Sequence, residues 1–74
     1  MKTPKQTVAT WAKLIEEHDL KKNQICKRAG VQNSIYSYAR KRGKHGKEIN
    51  PEHERKIQAA IEELIEEQKK EKAS

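Results

Sequence analysis

At 74 residues the chain has room for one hydrophobic core. Apolar residues make up 32%, and only Trp11, Tyr36 and Tyr38 are aromatic, so that core is small and largely aliphatic. The net charge of +6 sets the partner class ahead of the chemistry: it favours a polyanion and gives no reason to expect an acid-rich catalytic cleft. No long apolar run and no export signal is present, so neither membrane insertion nor secretion is expected. Cys26, the single cysteine, has no intramolecular disulfide partner and fits a reducing compartment.

The first predicted element is a helix over about 4–18. Thr3 can cap it, Pro4 suits its first position, and Gln6 completes a capping box. Val8, Trp11, Ala12, Leu14 and Ile15 recur at helical spacing, while Lys13, Glu16 and Glu17 are left for water. Trp11 reads as core, since a lone Trp on an apolar stripe needs no ligand. His18, Asp19 and Leu20 turn the chain. A second helix, about 22–29, turns Ile25, Cys26 and Ala29 inward, and Gly30 supplies the left-handed residue that stops it. Val31 packs back, and Gln32 or Asn33 opens a third helix, about 33–42, with Ile35, Tyr36 and Ala39 as its apolar stripe.

The segment Gly43-Lys44-His45-Gly46-Lys47 has two glycines and no apolar residue, and is expected to be a mobile loop. Asn50 and Pro51 then start a fourth helix, about 51–68, along which Ile57, Ala60, Ile61, Leu64 and Ile65 form a continuous stripe. Positions 69–74 are Lys, Glu, Ala and Ser, and are expected to fray as a charged tail. The expected fold is therefore all-α, with four helices in one domain spanning 1–68.

Charge is distributed unevenly over these elements. Lysines 2, 5 and 13 balance Glu16, Glu17 and Asp19 in the first twenty residues, and from 48 onward eight glutamates outnumber five cations. All of the excess lies between Lys21 and Lys47, where nine lysines and arginines stand with no Asp or Glu. A run of one sign is unfavourable for a small fold unless an anion meets it, and nucleic acid is the leading partner class. Two helices joined by a short turn inside such a run are a common way to present a helix to a polyanion.

The stretch QICKRAGVQNSIYSYARKRGK resembles the helix-turn-helix of the lambda-repressor-like superfamily of bacterial and phage regulators. The family's small residue, turn glycine and following apolar residue are matched by Cys26, Gly30 and Val31, with Tyr36 and Ala39 as inner residues of the second motif helix. WAKLIEEHDL looks like the family's first helix. NPEHERKIQAAIEEL looks like its fourth, close to the helix that ends the headpiece of Lac-repressor-type proteins. The resemblance covers about 8–65, and helix-turn-helix patterns are short and tolerant. Two departures stand out. Gln32 replaces the usual Ser or Thr cap. Ile15 and Arg40 occupy the positions of an ion pair that many repressors carry, which leaves Arg40 free for a phosphate.

The resemblance implies a sequence-specific regulator of double-stranded DNA, a repressor of bacterial, phage or mobile-element origin in the cytoplasm. Its recognition helix would be 33–42. Asn33 and Ser34, with Ser37 and Tyr38 one turn on, are then the candidates for base edges. Lys21, Lys22, Lys27, Arg28 and Gln32 on one side, and Arg40, Lys41, Arg42, Lys44 and Lys47 on the other, are candidates for phosphates, with about 4–7 of them in contact. For Asn33 the competing reading is a solvated helix start. Tight binding by so small a domain usually needs a dimer. The Ile61, Leu64 and Ile65 stripe can serve as a homodimer contact or be consumed by the domain's own core.

No catalytic constellation is expected. His18, His45 and His53 lie in a turn, a loop and a helix start without a nucleophile at usable spacing, and Cys26 with these histidines matches no zinc pattern. No metal or cofactor is implied. Glu62, Glu63, Glu66 and Glu67 read as the solvated face of the last helix. The main competing function is a protein-interaction module, an antirepressor or adaptor that binds an acidic protein surface. A two-part nuclear localisation signal is disfavoured because helices bury half of the span. Nonspecific RNA binding is disfavoured by the lack of an aromatic platform.

Overall fold

A computed structural model describes residues 3–73, with side chains described for 3–71. Among the described residues the chain is all-helical: α1 Pro4–Glu17, α2 Lys22–Ala29, α3 Asn33–Lys44 and α4 Pro51–Ala73. α1 packs chiefly on α3, and α2 on α4. Trp11, Ile25, Ile57 and Ile61 are fully enclosed where the four meet, joined by Val8, Leu20, Cys26, Tyr36, Ala39, Ile49, Ala60 and Leu64. Each large aliphatic side chain buried there contributes about 1.5–3 kcal/mol, a large fraction of what holds so short a chain together.

The helix boundaries have local causes. The Thr3 hydroxyl accepts from the Gln6 backbone N–H at 3.2 Å, and the Gln6 side-chain oxygen accepts from the Thr3 N–H at 3.0 Å, so the expected capping box is present. Gly30 has φ 73°, and its N–H donates to the Cys26 carbonyl at 2.9 Å, closing α2. The Asn50 side-chain oxygen accepts from the Glu52 N–H at 2.9 Å and opens α4. Asp19 takes φ 51° in the turn after α1.

Two sequence expectations are corrected. α3 runs to Lys44, two residues past Arg42, so Gly43 lies inside the helix and not in a loop. Gly43 is buried: a β-carbon there would collide with the Val8 side chain and stand 2.9 Å from Ile49 Cδ1 and 3.1 Å from the Pro4 carbonyl oxygen. The glycine is what lets α1 and α3 approach. Ile49, an apolar residue between helices on which the periodicity is silent, is 8% exposed and pins the α3–α4 connection.

Second, α4 continues to Ala73, five residues past Gln68. Lys, Glu and Ala are strong helix formers and nothing breaks the run. The Gln68 side-chain amide also donates to the His18 carbonyl at 2.8 Å, tying α4 to the α1–α2 turn. Met1, Lys2 and Ser74, the ends of the expected domain and tail, lie outside the described residues.

Candidate nucleic-acid interface

α3 has two sharply different sides. Tyr36 and Ala39 are buried and hold it to the core, while Asn33, Ser34, Ser37, Tyr38, Lys41 and Lys44 are exposed along its outer side. These six recur at three- and four-residue spacing, so they form one ridge with no acidic side chain. The four residues expected to read bases thus share one face of one helix. Tyr38, 61% exposed, is the one large apolar side chain left open among the described residues.

The turn that aims α3 is formed by Gly30, Val31 and Gln32. Val31 packs against the core cluster, and its N–H donates to the Cys26 carbonyl at 3.1 Å. Gln32 stands in extended backbone at the N-cap without a side-chain capping bond, and its carbonyl accepts from the Tyr36 N–H at 3.1 Å. Cys26 is buried beneath this turn, and burial pushes its thiol up, with Lys22 opposing in part. A small inert residue is what the helix crossing requires there.

The cations sort into three groups. Lys21, Lys22, Lys27, Lys41, Lys44 and Lys47 are exposed. Arg40 is not free, as the loss of the family's ion pair suggested. Its guanidinium lies 5.7 Å from the Tyr36 ring centroid, with Nη1 3.5 Å from the Tyr36 hydroxyl, and Ile15 meanwhile joins the core margin. Arg42 is also held: Nε donates to the Glu48 carbonyl at 2.8 Å, Nη1 donates to the Tyr38 hydroxyl at 3.2 Å, and the guanidinium stacks on that ring at 5.5 Å. Arg28 pairs with Glu67 of α4, so one of the glutamates read as solvated neutralises one of the expected clamps.

Grooves flank the α3 ridge on both sides. One of about 640 Å³ lies toward the start of α4 and is lined by Ser34, Ile35, Tyr38, Ile49, Pro51 and His53 among others. The other, about 580 Å³, lies toward the start of α2 and takes in Lys22, Ser37, Arg40, Lys41, Lys44 and His45. His45 was read as part of a mobile loop; its backbone N–H instead closes α3 against the Lys41 and Arg42 carbonyls. Its place at three and four residues from Arg42 and Lys41 on a continued helix was the signal available in the sequence.

Of the two uses open to the last-helix stripe, a homodimer contact or the domain's own core, the fold takes the core. Ile61 is fully buried, Leu64 is 9% exposed, and Ile65 packs against the same cluster, so the stripe is spent on the domain's own core. Among the described residues no group of three or more His, Cys, Asp or Glu side chains is placed to hold a metal ion. No described helix is long and apolar enough to cross a membrane. Comparison with protein families, curated proteins and solved structures gives no match for this chain.

Proposed function

We propose that this chain is a sequence-specific double-stranded DNA-binding regulator of the lambda-repressor-like helix-turn-helix type, acting as a repressor, with α3 set into the major groove. One observation carries the reading: an exposed, acid-free ridge on a helix whose other side is locked into the core. A rigid helix with short polar side chains at its N-terminal end suits base edges, because rotamer freedom lost on contact is small. Asn33 is the first candidate, since its amide can pair with adenine through both its donor and its acceptor. The cations on either flank would supply most of the affinity and none of the sequence preference.

Selection of bound duplexes from a random library at moderate salt tests the proposal. Enrichment of one short motif is expected, and an unenriched pool with salt-sensitive binding would leave only a nonspecific polyanion binder. A second reading, an adaptor for an acidic protein surface, is favoured by the groove beside Tyr38, where Ile35, Ile49 and Pro51 offer apolar contact next to the basic ridge. Saturable binding to an acidic protein, with no binding to any duplex, would select that reading.

A further inference from the structure

Positive charge on this molecule is not uniform, and it concentrates most in a concave place. The cleft between the start of α2 and the flank of α3 has Lys22 on one wall and Ser37, Arg40, Lys41 and Lys44 on the other, with His45 at its end. No Asp or Glu lines it, in contrast to the groove on the opposite side of α3, which Glu48 borders. Four formal charges therefore converge with no acid among the lining residues, while Arg28 elsewhere on the surface has taken a glutamate partner. Like charges gathered in this way repel one another. An anion in the cleft would reverse the sign of that contribution.

The cleft also has a fixed centre. Arg40 is half-buried and laid on Tyr36, whose ring is itself in the core, so the guanidinium is ordered before any ligand arrives. A planar fork held in place loses less freedom on binding an oxyanion than a mobile lysine does. Burial pushes the Tyr36 hydroxyl beneath it up, with Arg40 opposing in part. Ser37 adds a second hydroxyl at the wall. A phosphodiester brings one negative charge, fewer than the cations present, whereas pyrophosphate, a phosphate monoester or two adjacent backbone phosphates bring two or more.

We infer that this cleft is a phosphate-binding site for a group carrying at least two negative charges, with Arg40 as its central ligand and Tyr36 as the positioning residue. The site stands on its own geometry and does not require the DNA reading. Its phosphate can come from a nucleic-acid backbone or from a free phosphorylated small molecule.

Titration of the full chain with pyrophosphate, followed by NMR, tests this. Saturable shifts are expected at Arg40, Lys44, His45 and the Tyr36 ring, with Lys13 and Lys56 unmoved. Arg40→Gln should weaken binding about tenfold or more. Tyr36→Phe keeps every charge and should still weaken it about threefold, which a merely basic surface would not do. Lys13→Gln, the same charge change at an exposed position outside the cleft, should stay within about twofold. Melting curves establish that each variant is folded.

Shifts spread over all lysines, or equal losses from Lys13→Gln and Arg40→Gln, would overturn the site. A parallel arm adds a duplex. Displacement of the duplex by pyrophosphate assigns the phosphate to the backbone. Pyrophosphate binding without any duplex binding assigns it to a free ligand and removes the DNA proposal. Duplex binding with no pyrophosphate response in the cleft removes this inference alone.

Discussion

Gly43 shows how far a single residue's role can depend on its neighbours. Read as a loop glycine now carried inside a helix, it would gain from Gly43→Ala by about 1 kcal/mol of helix propensity. Its β-carbon position, however, is occupied by Val8 and Ile49 side chains and approached by the Pro4 carbonyl. We therefore expect Gly43→Ala to destabilise, by about 1–2 kcal/mol net, in urea unfolding; a rise in midpoint would show that α1 and α3 are not held at this distance. Asn33 is the matching residue for function. Asn33→Ala should reduce discrimination between the selected duplex and a singly altered one by about 1–3 kcal/mol while leaving random-sequence binding alone. Equal losses on both duplexes would remove it from base reading. Neither Gly43's packing nor the stacking of Arg40 and Arg42 on tyrosines four residues earlier could be read from spacing, because i,i+4 neighbours need not touch until rotamers are fixed.

Among the elements, α4 departs furthest from expectation. It runs 23 residues, roughly 34 Å at 1.5 Å per residue, and so sets the long dimension of 41 Å. Its anchors near the far end are Glu67, paired with Arg28, and Gln68, bonded to the His18 carbonyl. Lys69, Lys70 and Glu71 are exposed. A chain stopped after Gln68 keeps both of these anchors and should be destabilised less than one stopped after Glu66. Stopping after Glu66 should cost about 1–2 kcal/mol, most of it from the Gln68 bond, since the Arg28 pair is partly exposed and worth less. Denaturant midpoints of the two truncations decide this, and equal midpoints would mean that the α1–α2 turn needs no tether. The cap at Thr3, the left-handed Gly30 and the start at Asn50 were legible because each depends on a few adjacent residues.

Across the molecule, one core serves every element, so its titratable members report on global stability. Burial raises both Cys26, from 9.0, and Tyr36, from 10.0. Between the unfolded and folded values the unfolded chain has released protons that the folded chain keeps, so stability falls as pH rises through that window. Unfolding by urea should show a stability that is level near pH 8 and declines from about pH 9 upward. Tyr36→Phe should remove part of the decline, and an unchanged slope in that variant would place the titration elsewhere. The sequence by itself determined the four helices, the turn at Gly30-Val31 and the acid-free stretch from Lys21 to Lys47, because propensity, capping and formal charge are local properties. Tertiary structure decided what covers each apolar stripe and which charges are held. Periodicity marks Ile61 and Leu64 as apolar without saying whether a second copy or the domain's own core buries them, and composition counts Arg28 and Arg40 alike until Glu67 and Tyr36 are brought beside them.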